Sequence, residues 1–184
     1  MFITINGHLG SGKSTVCALL QKNYGFSIFS TGSIQREFAN RLNISTLELN
    51  KKSFDDLSFD HYIDSTTVEY AKAHCGERIV FDSRLAWHFV PNSFKVRLTI
   101  VPELAALRVF TLRQSEEENY STVREAMEHL FERQKTEAER YQSIYGIDIN
   151  DVNNYDYIVD TSNLSPLDIA ERIMIKYNEF LQNK

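Results

Sequence analysis

The chain alternates short apolar runs with longer stretches in which apolar residues recur every three or four positions. Each short run is rich in β-branched or aromatic residues, a composition typical of strands. The longer stretches have the periodicity of amphipathic helices. Five strands are predicted in this way, at residues 2–5, 26–29, 78–81, 95–101 and 155–159.

Helices are predicted between these strands. Gly25 is expected to end the first helix, because glycine readily takes the left-handed conformation that follows a helix C-terminus. Ser165 before Pro166 has the pattern of an N-cap and a first-turn proline. Alternating strands and helices predict βαβ units, and hence a parallel sheet with helices on both faces. The predicted helices cover residues 13–23, a stretch opening at residue 31 or 32, and residues 59–74, 102–113, 122–145 and 166–181.

Length and composition are those of one globular domain. A chain of 184 residues with 42% hydrophobic and 24% charged side chains can bury an ordinary core. The net charge of −5, from 20 Lys and Arg against 25 Asp and Glu, disfavours a broad basic face for nucleic acid. Small-molecule partners are therefore expected, with no nucleic acid and no membrane.

The sequence favours a cytoplasmic protein. No apolar run approaches the length of a membrane span, and the N-terminus lacks the basic region and long apolar core of a signal peptide. Cys17 and Cys75 belong to no C-x-x-C motif or His/Cys cluster, so we expect a reducing compartment and no structural metal. The oligomeric state is left open, and a monomer is compatible with the absence of heptads.

The residues from Gly7 to Ser14, GHLGSGKS, have the spacing G-x-x-x-x-G-K-S of a P-loop. They follow a predicted strand and precede a predicted helix, which is the context that this motif requires. The glycines allow a tight turn whose backbone N–H groups face phosphate oxygens. Lys13 is expected to reach the β- and γ-phosphates of ATP or GTP, and the Ser14 hydroxyl to bind Mg²⁺. The predicted nucleotide-binding residues are Gly7, Gly10, Ser11, Gly12, Lys13, Ser14 and Thr15.

Two polar patches follow the second and third predicted strands. Arg36 lies one or two turns into a helix, where a guanidinium can bind an acceptor phosphate; a solvent-exposed helix arginine is the alternative. Asp82, Ser83 and Arg84 follow the third strand, at the edge where open α/β sheets bind ligands. Trp87, a little further on, is interpreted as a core residue.

A third patch carries Arg133, Glu137 and Arg140, whose spacing places all three on one face of a helix. One interpretation is an i,i+4 ion pair with an additional arginine, worth a few tenths of a kcal/mol. The other is that two arginines held by a carboxylate cover a phosphoryl group during its transfer, since that reaction needs neutralised charge. The residues alone leave both interpretations open. A fourth patch, the turn at residues 160–166, is a candidate border for a nucleotide base.

Together these motifs resemble the cytidylate kinases, in particular the short form typical of archaea and some bacteria. The resemblance covers nearly the whole chain: the P-loop, STGxxxRE at residues 30–37, a D-x-x-x-D helix start at Asp60 and Asp64, a strand ending in an acid before SRLA, and E-x-x-R-Y continuing to YGID. It implies a P-loop NTPase fold of three α/β/α layers with a five-stranded parallel sheet. It also implies an acceptor-binding segment at about residues 31–75, a lid at about residues 111–135, and Mg²⁺-assisted phosphorylation of CMP or dCMP by ATP.

The resemblance also assigns roles to individual residues. It implies that Arg36 and Arg84 lie on the CMP side, that Asp82 lies beside the acceptor or the metal, and that Glu137 orients the lid arginines. The catalytic residues are then Lys13, Arg133 and Arg140, the substrate-binding residues are Ser30, Arg36, Asp82, Arg84 and Glu137, and the metal-binding residue is Ser14. No residue is assigned to the acceptor base.

The chain departs from the family pattern at the tip of the lid. The segment RQSEEENYS, residues 113–121, has three consecutive glutamates, Glu116 to Glu118, where many members have a basic tip that contains glycine. We expect these glutamates to face solvent, because acidic groups beside a polyphosphate are unfavourable.

Three functions are compatible with the sequence. They are a CMP/dCMP kinase, a P-loop kinase of another small acceptor, and a nucleotide-binding regulatory module without turnover. The presence of both Arg133 and Arg140 favours an enzyme, because a sensor has less need of positive charge over the γ-phosphate.

Overall fold

Five strands form an all-parallel sheet in the computed structural model, which describes residues 1–44, 48–49, 57–112 and 120–183. Their spatial order is β2-β3-β1-β4-β5. The predicted parallel sheet is confirmed, and each strand lies within two residues of its predicted bounds. The strands are β1 (Ile3–Gly7), β2 (Ser27–Ser30), β3 (Ile79–Asp82), β4 (Phe94–Thr99) and β5 (Tyr157–Asp160).

The helices follow the predicted alternation. Gly25 ends the first helix with φ of +71°, and its N–H donates to Gln21 O. Ser165 caps the last helix in a capping box with Asp168. The four-residue α4 was not predicted, because one turn is too short to show a period. The helices are α1 (Lys13–Tyr24), α2 (Thr31–Arg41), α3 (Ser58–Ala73), α4 (Ala86–Phe89), α5 (Pro102–Leu112), α6 (Val123–Tyr145) and α7 (Pro166–Gln182), with a 3₁₀ turn at Val152–Asn154.

The sheet has a helical layer on each face. Strand β1 is buried along its whole length, as a central strand should be. One face packs against α1 and α7, in a core that includes Ile5, Leu20 and Ile173. On the other face, Phe81 of β3 packs with Tyr70 of α3 and with α4. Three α/β/α layers result, as predicted.

The parallel arrangement places the carboxyl ends of all strands at one edge, where the P-loop lies. Part of the predicted acceptor-binding segment and the acidic tip at Glu116 to Glu118 lie outside the described residues. Among the helices that are described, none is long and apolar enough to cross a membrane.

Candidate active site

The P-loop joins the end of β1 to the start of α1. Gly12 is the N-cap of α1, with φ of +85°, and Gly10 has φ of +80°. A Cβ atom on Gly10 would lie 2.7 Å from the carbonyl oxygen of Ala105. Glycine is therefore required there both by the left-handed backbone and by the close approach of α5. Ser11 is buried, and its hydroxyl donates to the carbonyl of His8 at 2.7 Å.

Lys13 folds back onto the start of the loop. Its Nζ donates to the Gly7 carbonyl at 2.6 Å, and Nη1 of Arg84 donates to the same oxygen at 2.7 Å. Burial and the neighbouring Arg84 lower the pKa of Lys13 to about 7. A phosphate bound in the loop would reverse this effect, because an anion favours the charged ammonium.

Ser14 and Asp82 meet between the P-loop and the neighbouring strand β3. The Ser14 hydroxyl donates to Oδ2 of Asp82 at 3.0 Å. Thr31, the first residue of α2, donates to the backbone carbonyl of Asp82 at 3.5 Å. Hydroxyl and carboxylate oxygens are hard ligands of the kind that Mg²⁺ prefers. Ser14 and Asp82 therefore fit a magnesium ion. Thr15, the next residue along the loop, is exposed.

Ser30 and Arg36 lie at the same edge of the sheet, on the β2 side. Ser30 pairs with Asp82 in the register of β2 and β3, and its hydroxyl accepts from the backbone N–H of Ser33 as the N-cap of α2. Arg36 is exposed and donates from Nη2 to the Ser33 hydroxyl at 3.1 Å. Its guanidinium thus lies against the first turn of α2, the helix whose first residue, Thr31, contacts the end of β3.

Arg84, Glu137 and Arg133 form one chain of ionic contacts. Oε2 of Glu137 lies 3.3 Å from Nη2 of Arg84, and Oε1 accepts from Nε of Arg133 at 3.2 Å. Burial by itself would raise the pKa of Glu137, but Arg84 and Arg133 outweigh it and hold the pKa below its ordinary value. Because Arg84 also binds Gly7, this chain connects the long helix α6 to the P-loop.

Arg140 lies one turn further along α6 and faces α3. Its Nη2 lies 3.1 Å from Oδ1 of Asp60, and the hydroxyl of Tyr145 donates to Oδ2 of Asp64. Burial raises the pKa of Asp64 to about 6, against the effect of the hydrogen bond from Tyr145. The structure thus separates the two arginines that were predicted to cover the reacting phosphates: Arg133 contacts Glu137, whereas Arg140 pairs with Asp60 at the start of α3.

Arg108 is a residue that the sequence analysis missed. From α5 it donates through Nη2 to the Thr161 carbonyl at 2.9 Å and through Nη1 to the Gly10 carbonyl at 3.3 Å. It thereby connects the P-loop to the turn after β5, which was predicted to border a nucleotide base. The sequence did contain a signal for this role. Arg108 is the one cation among apolar residues in the helix sequence LAALRVF.

His8 adds a neutral ring to this cationic site. Its Nδ1 is buried and has no hydrogen-bond partner among the described residues. Burial, together with Arg84 and Arg97, lowers the pKa of His8 to about 4. The ring is therefore uncharged at neutral pH, and it adds no positive charge to that of Lys13, Arg84 and Arg108 around the loop.

A sequence model described as the cytidylate kinase-like family matches residues 2–163. The chain belongs to the cytidylate kinase-like family. The cytidylate kinase of Thermoplasma acidophilum is 33% identical over 180 residues, which cover 97% of this chain and 93% of that relative. The cytidylate kinase of Pyrococcus abyssi is 38% identical over 167 residues, covering 90% and 87% respectively.

Solved structures support the same fold. The crystal structure of shikimate kinase from Bacteroides thetaiotaomicron superposes with a TM-score of 0.68 at 15% identity, over 99% of this chain and 98% of that chain. At this identity the likeness concerns the fold, which is that of the P-loop kinases. The predicted membership of the cytidylate kinase-like family, a family of nucleoside monophosphate kinases, is confirmed.

Proposed function

We propose that the protein transfers the γ-phosphoryl group of ATP to CMP or dCMP, giving ADP and CDP or dCDP. The observation that carries this proposal is the chain of contacts from Lys13 through Gly7 and Arg84 to Glu137 and Arg133. It gathers three cations around the edge of the sheet where the P-loop begins. The names of the relatives support cytidylate as the acceptor.

The P-loop would hold the donor. Backbone N–H groups of residues 10–15 and the ammonium of Lys13 would bind the β- and γ-phosphates at the positive end of α1. When Lys13 exchanges the Gly7 carbonyl for a phosphate oxygen, its proton becomes firmly held, because the pKa of about 7 rises beside an anion. The turn joined to the P-loop by Arg108 would border the base of ATP.

Arg36 and Arg84 would bind the acceptor phosphate. They project from α2 and from the end of β3 at the same edge, with Ser30 and Asp82 at the adjoining strand ends. A forked guanidinium suits a phosphate because it donates two parallel hydrogen bonds. We assign residues 31–75 to the acceptor-binding segment and residues 111–135 to a lid of the single kinase domain.

The transfer itself needs charge neutralisation and alignment more than covalent help from the protein. An oxygen of the acceptor phosphate attacks the γ-phosphorus, a new P–O bond forms, and the bond to the β-phosphate oxygen breaks as ADP leaves. Arg133 and Arg84, held by Glu137, would neutralise the oxygens of the transferring group, with Arg140 as a further cation. Mg²⁺ bound by Ser14 and Asp82 would supply positive charge to the same phosphates.

The decisive experiment measures Mg·ATP-dependent ADP formation with CMP, dCMP, UMP, AMP and GMP, and identifies each product. We expect the highest kcat/KM with CMP or dCMP, and a loss of about 100-fold or more in Lys13→Ala with the fold intact. Preferred turnover of another acceptor would instead support a kinase of that acceptor. ATP binding with no turnover above a control without enzyme would support a regulatory module.

A further inference from the structure

The first turns of α3 and the last turns of α6 share a polar cluster, of which the proposed phosphoryl transfer uses only Arg140. It consists of Asp60, Asp64, Arg140 and Tyr145, and we call it the α3–α6 cluster. Arg140 pairs with Oδ1 of Asp60 at 3.1 Å, and Tyr145 donates to Oδ2 of Asp64. Each helix therefore contributes two interacting side chains, spaced about one turn apart.

Asp60 has one oxygen whose hydrogen bonding is incomplete. Its side chain is 12% exposed, Oδ1 is engaged by Arg140, and Oδ2 is buried without a hydrogen bond from any residue that the structure describes. A buried acceptor without a donor is costly, and in native proteins such an atom usually finds a partner. Asp64 differs, because its Oδ2 already accepts from Tyr145. Asp60 is thus the carboxylate of the cluster with a buried oxygen that still lacks a donor among the described residues.

The cluster lies at the acceptor side of the site. Arg140 is three residues beyond Glu137 on α6, about 4.5 Å along the helix axis. Glu137 contacts Arg84, which we assign to the acceptor phosphate. A nucleotide whose phosphate binds Arg84 and Arg36 can therefore extend its sugar and base toward the start of α3, within the acceptor-binding segment.

The Asp60–Arg140 pair presents a hydrogen-bond acceptor beside hydrogen-bond donors. Cytosine has the complementary edge, since its exocyclic amine donates and the adjacent ring nitrogen accepts. Uracil has the opposite polarity at both positions, because its O4 accepts and its ring N–H donates. The same pair would therefore attract one pyrimidine and repel the other, which is how a polar site achieves discrimination.

We propose that Asp60, positioned by Arg140, accepts a hydrogen bond from the exocyclic amine of CMP and thereby selects cytosine over uracil. The inference rests on the proposed function and deepens it by naming the residue that recognises the base. Because Oδ2 is buried, the start of α3 must shift to admit the base. Arg140 then has two roles: it contributes positive charge at the site, and its ion pair with Asp60 positions the residue that recognises the base.

The test compares CMP with UMP and with the 2-pyrimidinone ribonucleotide, a CMP analogue that lacks the exocyclic amine. We expect wild-type kcat/KM to be about 10- to 100-fold higher for CMP than for the analogue. In Asp60→Asn, Arg140 keeps Oδ1, so the amide nitrogen replaces Oδ2 and offers a donor where an acceptor was. In this variant the kcat/KM for CMP should exceed that for the analogue by no more than about threefold. The kcat/KM for UMP should rise relative to that for CMP.

Asp64→Asn is the matched control, because Asp64 lies in the same cluster but its Oδ2 already accepts a hydrogen bond from Tyr145. It should keep the wild-type ratio of CMP to analogue. An equal loss on CMP and analogue in Asp60→Asn, with the ratio unchanged, would show a merely structural role and overturn the inference. If Asp60→Asn does not fold, Asp60→Ser takes its place in the same comparison.

The wild-type protein alone separates the two proposals. Turnover of CMP without preference over the analogue overturns the role of Asp60 and leaves the proposed function intact. Absence of CMP turnover overturns both.

Discussion

Lys13 and Arg84 donate to a single carbonyl oxygen, that of Gly7, and this arrangement favours ligand binding over stability. Two cations that share one acceptor repel each other, and burial further disfavours the charge of Lys13. A polyphosphate relieves both effects. The site is thus prepared for an anion at a cost to the folded protein.

Replacing Lys13 should therefore raise stability while it removes activity. The pKa of Lys13 is about 7 in the folded protein and about 10.5 in the unfolded chain. Between these values the unfolded chain binds a proton that the folded protein lacks, so wild-type stability gains from this group as pH rises. At pH 7 and below, the burial of charged Lys13 lowers the stability of the folded protein by its full amount. Lys13→Met should accordingly unfold at a higher temperature than wild type at pH 6 to 7, with a difference that shrinks towards pH 10.

Thermal unfolding of both proteins from pH 6 to pH 10 measures this effect. Lys22→Met is the matched control, because Lys22 is an exposed lysine of the same helix. The difference in unfolding temperature between Lys22→Met and wild type should stay the same from pH 6 to pH 10. If the difference in unfolding temperature between Lys13→Met and wild type were constant from pH 6 to pH 10, the lowered pKa of Lys13 would not be its cause.

At the scale of elements, the contact between the P-loop and the start of α5 depends on Gly10. A side chain there meets both the left-handed backbone, at φ of +80°, and the backbone of Ala105. Gly25 has a similar φ of +71°, but a Cβ atom there would meet nothing within 4 Å. A comparison of the two positions therefore distinguishes the effect of the left-handed backbone, which both share, from the effect of the steric contact, which only Gly10 has.

Gly10→Ala should therefore destabilise the protein more than Gly25→Ala does. The left-handed conformation of a non-glycine residue costs about 1–2 kcal/mol, which both variants incur. Gly10→Ala must in addition displace α5 from the loop, and the KM for ATP should rise. Chemical denaturation and ATP kinetics of the two variants measure the difference. Equal losses of stability would show that the approach of α5 does not matter.

At the scale of the whole molecule, α6 contacts both sides of the site. Glu137 connects it to Arg84 and the P-loop strand, and Arg140 connects it to α3, which lies in the proposed acceptor-binding segment. A ligand that repositions α6 at either contact therefore changes the other binding site. Coupling of this kind is reciprocal.

The two nucleotides should accordingly bind cooperatively despite their like charges. We expect CMP to bind about fivefold or more tightly in the presence of a non-hydrolysable ATP analogue. Isothermal titration of CMP with and without the analogue measures the coupling. In Glu137→Gln, which weakens the connection to Arg84, the coupling should fall. An unchanged or weaker affinity in the wild-type protein would indicate that the two sites are independent.

The sequence by itself determined the five strands, the main helices and the P-loop, because each depends on neighbours along the chain. Hydrophobic period and glycine or serine caps predict element type and ends, and the P-loop spacing lies within eight residues. The spacing of Arg133 and Glu137 likewise predicted their contact across one helical turn. The short helix α4 was not predicted, because a single turn is too short to show a hydrophobic period.

Only the tertiary structure decided which distant groups meet. The Gly7 carbonyl receives Arg84 because β3 lies beside β1 in the sheet, and no local pattern encodes that order. Arg140 pairs with Asp60, 80 positions earlier in the chain, because α3 packs near the end of α6. Contacts of this range follow from how the elements pack, which hydrophobic period and motif spacing leave open.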